Sequence, residues 1–296
     1  MKRCIFTLLL FCTPLLVIHA LPRKKVAVVL SGGGAKGVAH IGALKVIEEL
    51  GIPIDYVAGT SIGAIVGGLY SIGYTPEQLE IIVKQTNWIE LLTDKISRDA
   101  IPFPFKLDDS KYLISLPISN NKKSGGIIKG RNISQLLQQL TEGYNETINF
   151  DSLPIPFACI ATDMATNQKE VIRSGKLSEA MRASMAIPII FTPLYSDKKV
   201  LIDGGFKDNL PIDVVKSMGA DIIIAIDAQS ELATSDKLQA VPDVVNQLML
   251  MICQSELDID KIKQVDSYIK VNVEGYNAAS FSNEAIDTLI IRGENA

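Results

Sequence analysis

From Lys25 onward the chain alternates between short, unbroken apolar runs and longer segments whose apolar residues recur every three or four positions. Val26-Ala-Val-Val-Leu30 is apolar throughout, as expected of a parallel strand buried on both faces. A glycine-rich loop follows at 32–37. Val38, Ile41, Leu44 and Ile47 then form the apolar stripe of a helix that stops at Gly51. Residues 54–58 are the next predicted strand and 62–72 the next helix, closed by Gly73. Thr75-Pro-Glu-Gln78 has the form of a capping box with proline at the first helical position, so a third helix starts there. Further strands are predicted at 157–162, 170–173, 200–203 and 222–227, and helices at 178–183, 211–218 and 242–264.

Strands alternating with helices predict an α/β fold in three layers, α/β/α, around a mainly parallel sheet. Residues 88–135 depart from this rhythm. Tyr112, Ile114, Leu116 and Ile118 alternate as a strand would, and Asn120-Asn-Lys-Lys-Ser-Gly-Gly126 makes a turn, so an edge hairpin is expected there. Trp88, Phe103 and Phe105 in this stretch fit either core packing or contact with lipid. With no internal repeat and no long linker, residues 21–296 are expected to form one domain. Its core motifs lie over about 24–227, and a helical and strand extension over about 242–296.

The first 20 residues have a different character. Lys2 and Arg3 precede a mostly apolar run from Ile5 to Ile18, and Ala20 is a small residue at a plausible cut point. This is the layout of a secretory signal peptide over 1–20, with an apolar run short for a bilayer span. Export is therefore expected, to a periplasmic, outer-membrane-associated or secreted location.

Composition narrows the chemistry. With 29 basic and 33 acidic residues, a net charge of −4, the chain offers no basic patch for nucleic acid. It has only 2 histidines and 4 cysteines, and removing 1–20 leaves His40, Cys159 and Cys253. One histidine and two distant thiols do not make a zinc site, so no metal and no cofactor are expected. Both remaining cysteines lie in apolar segments and are read as buried thiols.

Two glycine motifs carry the candidate chemistry. Gly32-Gly-Gly-Ala-Lys-Gly37 follows a strand and opens a helix, matching a dinucleotide fingerprint. That reading requires an acid at the end of the second strand, where Ala58-Gly-Thr-Ser61 stands instead. The second motif, Gly59-Thr-Ser-Ile-Gly63, has the spacing of a nucleophile elbow: a serine on a tight strand-to-helix turn, with small residues two before and two after. A serine that attacks an ester generates an oxyanion. The loop of Gly32, Gly33, Gly34, Ala35, Lys36 and Gly37 would offer N–H donors and a helix N-terminus to it.

The serine needs a base. His40 lies inside the first helix and is read as a packed core imidazole. Asp203 is the stronger candidate, because Val200-Leu-Ile-Asp-Gly-Gly205 is a buried strand delivering a carboxylate into a turn at Gly204 and Gly205, where burial would raise its proton affinity.

Gly32–Gly37, Gly59–Gly63, Ala183-Ser-Met-Ala-Ile-Pro188 and Asp203-Gly-Gly205 together resemble the patatin-like phospholipases in order and spacing, over roughly residues 24–227. The resemblance implies a serine acyl hydrolase with a Ser61–Asp203 dyad, an oxyanion hole at 32–37, lipid esters such as membrane phospholipids as substrates, and no catalytic histidine. It also implies a structural role for Ser184 to Pro188, and Asn209 matches the stretch after the dyad aspartate. The leader and the tail from Val273 to Phe281 are similar to patatin proteins of the type V secretion class. A catalytically idle patatin-like surface domain is the competing reading.

Overall fold

The computed structural model describes residues 23–94, 126–196, 198–239 and 259–296, together with 244, 247–248 and 250–253. The expected leader, Phe103, Phe105 and the alternating stretch at 112–118 lie outside the described residues.

The chain opens with β1 (Val26–Leu30), α1 (Ala39–Glu49), β2 (Tyr56–Thr60), α2 (Ile62–Ser71) and α3 (Pro76–Gln85). Thr75 caps α3 with the expected reciprocal pair of bonds to Gln78. Strand β2 begins two residues later than the apolar run suggests. Asp55 turns its carboxylate to Arg23 and to the Val26 N–H, which holds the preceding residues out of the ladder.

Two helices, α4 (Trp88–Thr93) and α5 (Arg131–Leu140), occupy the described ends of the stretch that broke the rhythm. The indole of Trp88 stacks on Phe281 at 4.0 Å and donates to the Val83 carbonyl. Trp88 is thus half-buried and engaged in packing within the protein.

The chain continues through β3 (Phe157–Asp163), β4 (Gln168–Ile172), α6 (Leu177–Ser184), β5 (Leu194–Ser196), β6 (Lys199–Asp203), α7 (Ile212–Met218) and β7 (Ile222–Asp227). It ends with β8 (Ser267–Lys270) and α8 (Asn283–Glu294). Between β7 and β8 the described residues from 244 to 253 are helical, and a short helix at Ile259–Ile262 ends before Gln264.

The sheet order is β8-β7-β1-β2-β3-β6-β5, with β4 paired to β3. Strands β8, β7, β1, β2 and β3 run parallel, whereas β4, β5 and β6 pair antiparallel with their neighbours. The unbroken apolar strands follow from burial on both faces. Val28, Leu30, Val57 and Phe157 pack under α1, α2 and α8, while Ala27, Val29, Ala58 and Ala158 pack under α7. The cluster on the α7 face is the smaller of the two, and alanines supply much of its sheet side.

The sheet also contains a fork. On β3, Ile160 pairs with Thr60 at the end of β2, and the next residue, Ala161, pairs with Asp203 at the end of β6. Strand β4 holds the opposite edge of β3 along this stretch. Strand β6 therefore takes over the same edge where β2 leaves it. The residue after Thr60 and the last residue of β6 are brought together by this pairing.

Candidate active site

Ser61 occupies that junction. It sits between β2 and α2 at φ 56° and ψ −121°, a conformation rare and costly for a residue with a side chain. Two close approaches hold the turn. A Cβ on Gly59 would run into the Gly63 carbonyl, and a Cβ on Gly63 would run into the Leu30 and Ser31 carbonyls. The glycine spacing thus reflects chain crossing, as the elbow reading requires. The Ser61 N–H donates to Ser184 Oγ at 2.9 Å, and the Ser184 hydroxyl donates to the Ile160 carbonyl. Ser184 therefore ties α6 and β3 to the elbow.

The Ser61 hydroxyl donates to Asp203 Oδ2 at 2.7 Å. Asp203 Oδ1 accepts the Gly205 N–H at 2.8 Å, which fixes the carboxylate plane. A Cβ on Gly204 would strike the Ile160 carbonyl, so this turn also presses against β3. Burial pushes the Asp203 carboxyl up to about 6, against the downward pull of its bonds to Ser61 and Gly205. It is ionised at neutral pH yet keeps appreciable proton affinity.

His40 is fully buried, with Nε2 2.8 Å from the Ser31 carbonyl, so Nε2 carries the hydrogen. Burial pushes it down to about 4, and it stays a neutral core imidazole away from the serine.

The loop at 32–37 borders Ser61, with its N–H groups in two different states. The Gly32 N–H is held by the Asn209 carbonyl and by Asn209 Oδ1, and the Ala35 N–H donates to the Ala278 carbonyl. The Gly33 and Gly34 N–H groups meet no acceptor among the described residues, and both glycines line the cleft that contains Ser61 and Asp203. Lys36 and Gly37 lie in the short 3-10 helix Gly34–Val38. The buried Lys36 ammonium donates to Ser230 Oγ, and burial next to Lys270 pushes it down to about 8. The glycine faces are filled by protein: Asn209 at Gly32, Ala278 at Gly34 and Ile62 at Gly37. That crowding leaves no bed for a pyrophosphate, so the dinucleotide reading fails on space as well as on the missing acid.

The sequence marks Asn209 only by its place after the dyad aspartate, and it gives no signal for the parts played by Ala278 and Cys253. Asn209 clamps Gly32 from 177 residues away, and the tail at Ala278 closes over the loop. Cys253, expected in a core, is half-buried and lines the cleft, where burial and Asp203 push its thiol up to about 12. Cys159 is buried as expected, and both thiols are unpaired.

An α/β domain with a strained serine on a strand-to-helix elbow, bonded to a buried aspartate, defines the class of this site. The patatin-like phospholipase family model matches residues 28–216, and the chain belongs to that family. It is 30% identical over 285 residues to patatin-like phospholipase domain-containing protein 7 of Rattus norvegicus, covering 86% of this chain and 19% of that protein. It is 28% identical over 305 residues to neuropathy target esterase sws of Drosophila melanogaster, covering 92% and 19%. The chain thus spans about one fifth of the length of these relatives. Among solved structures, VipD from Legionella pneumophila aligns over 93% of this chain and 67% of its own, with 16% identity and a TM-score of 0.44.

Proposed function

We propose that the protein hydrolyses carboxylic esters of lipids, phospholipase A or lysophospholipase fashion, with Ser61 as nucleophile and Asp203 as base. The observation that carries this reading is the 2.7 Å bond from a strained, cleft-lining serine to a buried carboxylate. Asp203 accepts the hydroxyl proton as Ser61 Oγ bonds to the ester carbonyl carbon. The oxyanion is stabilised by the Gly33 and Gly34 N–H groups, a narrower set than the whole loop. Collapse of the adduct breaks the ester C–O bond, and the proton on Asp203 passes to the departing alcohol. Water then attacks the acyl-enzyme, giving up a proton to Asp203, and collapse breaks the acyl C–Oγ bond as Asp203 returns that proton to Ser61 Oγ and the acid departs.

Lipidomic mass spectrometry of a mixed phospholipid extract tests this directly. Wild type should release free fatty acids and the matching deacylated lipids, and Ser61→Ala should not. Equal product from both proteins would refute the reading. An idle domain predicts no product from either.

The acid limb of the pH profile has a definite sign. Asp203 works as a base only when ionised, so kcat/KM should fall tenfold per unit as pH drops below about 6. His40, held near 4, should add no second step between pH 5 and 8. A limb centred near the ordinary carboxylate range would contradict the buried-base reading. Asn209→Leu removes the side-chain acceptor for Gly32 and should lower kcat roughly 10–100-fold with little change in KM, as donor alignment is lost.

Export is the second part of the proposal. It rests on the leader-like residues 1–20, and mass measurement of protein recovered outside the cytoplasm should give an N-terminus at Leu21. The narrower likeness to type V secretion proteins rests on the sequence of the leader and tail alone, and the rat and fruit-fly relatives lend it no support.

A further inference from the structure

Helices α1 to α5 enclose an apolar chamber of about 50 Å3 beside the nucleophile elbow. Ile62, the residue after Ser61, stands in its wall and packs against Gly37, and the chamber shares no wall residue with the catalytic cleft. Among the described residues of this wall, only Thr86 and Trp88 carry a polar side-chain atom. Both are engaged: the Thr86 hydroxyl donates to the Ile82 carbonyl and the Trp88 indole N–H to the Val83 carbonyl. Such a chamber offers water no partner and stays dry, so its lining lacks contacts on one side, which an alkyl chain would restore. A wider pocket of about 440 Å3 adjoins it between α3, α4 and α5, and the two share Ile82, Thr86, Leu136 and Leu140. The rim of this outer pocket is different in character. Gln85, Asn87, Asn132, Gln135 and Gln139 supply amides, and Glu90 is the one charged residue among its described lining. From outside inward the walls pass from polar rim through mixed neck to apolar end, which matches a molecule with one polar head and one alkyl chain.

We propose that the chamber and the outer pocket form one binding site, separate from the catalytic cleft, for a single-chain amphiphile with an uncharged, hydroxyl-bearing head, such as a medium-chain alcohol or a monoalkylglycerol. The tail end of the chain fills the chamber, and the head lies at the amide rim. Primary amides both donate and accept, as hydroxyls do, so the two pair without a charge on either side. A carboxylate head would instead meet Glu90, with no cation in the described lining to offset it. The site does not depend on the ester chemistry at Ser61, so the two readings stand or fall separately.

Trp88 is the single tryptophan of the chain and lies in the chamber wall, so a bromine at the end of the alkyl chain reports its arrival by quenching the indole fluorescence. The full chain is titrated with 8-bromo-1-octanol, which carries no ester. Quenching should saturate. Unbrominated 1-octanol should displace the probe about fifteenfold more effectively than 1-hexanol, from about 0.8 kcal/mol for each of the two extra methylenes buried. Ile82→Phe and Leu136→Phe add bulk to the shared wall from two different helices, and each should weaken the probe at least about fivefold, with melting curves verifying the fold. The anionic probe 8-bromooctanoate should bind at least about fivefold more weakly than the alcohol, and Glu90→Gln should narrow that gap. Quenching that does not saturate, equal displacement by hexanol and octanol, or undiminished binding by folded Phe variants would overturn the site. A carboxylate that binds as tightly as the alcohol would overturn the uncharged head.

Discussion

Replacing Ser61 with alanine should lower lipid ester hydrolysis by at least about four orders of magnitude without unfolding the protein. The side chain is small, its hydroxyl bonds only to Asp203, and alanine leaves the Ser61 N–H bond to Ser184 intact. The change takes one donor from the buried Asp203 carboxylate, which keeps the Gly205 N–H, so the cost to the fold is about 1–3 kcal/mol. Asp203→Asn should cost about three to four orders, because the amide fills the same space and cannot take a proton. The two losses should not add, since nucleophile and base act as one unit: the double variant should be about as inactive as Ser61→Ala alone. Circular dichroism and melting curves check the fold, and initial rates on a fluorogenic short-chain ester check the chemistry. A multiplicative loss in the double variant would mean that Asp203 acts independently of Ser61.

Gly63→Ala should damage both the fold and the site. One methyl group is added, but it meets the Leu30 and Ser31 carbonyls, which belong to the central strand and the loop behind it. Strand β1 is paired with β7 and β2 on its two sides and cannot yield. The expected destabilisation is roughly 3 kcal/mol, at the upper end for overpacking because backbone rather than side chain is struck. That corresponds to a melting temperature lowered by roughly 6–12 °C for a domain of this size. Any folded fraction should retain little activity, since relief of the clash must shift α2 and so move Ser61 off Asp203. A Gly63→Ala protein with wild-type melting and turnover would show that the elbow glycine is there by composition and not by chain crossing.

The parts of this structure legible in the sequence are those whose cause is local. Five consecutive apolar residues at Val26–Leu30 announce a strand buried on both faces, and it lies between two parallel neighbours. Gly59 and Gly63 are spaced by a steric need that the turn itself imposes. The scarcity of histidine pointed to a carboxylate base, and the single remaining imidazole proved to be core. The sheet fork was not legible. Nothing near residue 203 says that β6 runs antiparallel and replaces β2 along one edge of β3, yet that pairing brings Asp203 to Ser61.

The same limit applies to the supports of the glycine loop. Asn209 could be noted as a polar residue before Leu-Pro, but its task depends on a partner 177 residues away. Helix α5 was missed within a stretch read as irregular, although Ile133, Leu136, Leu137 and Leu140 mark its inner face. Its N-cap residue is Gly130 in a left-handed turn, and the first N–H groups are capped instead by Asp94 from 36 residues away, so the usual local opening signal is missing. Cys253 shows the opposite error: an apolar helical setting suggested core, whereas the helix borders the cleft.

Covalent labelling distinguishes a Ser61 activated by Asp203 from an ordinary serine hydroxyl. Intact wild type, Ser61→Ala and Asp203→Asn proteins are each incubated with a fluorophosphonate, and the adducts are located by peptide mass spectrometry. A single adduct is expected on Ser61 of the wild type, none on Ser61→Ala, and labelling slowed by about a hundredfold or more in Asp203→Asn. Labelling of Asp203→Asn at the wild-type rate, or an adduct that persists in folded Ser61→Ala, would contradict a nucleophilic Ser61 activated by Asp203.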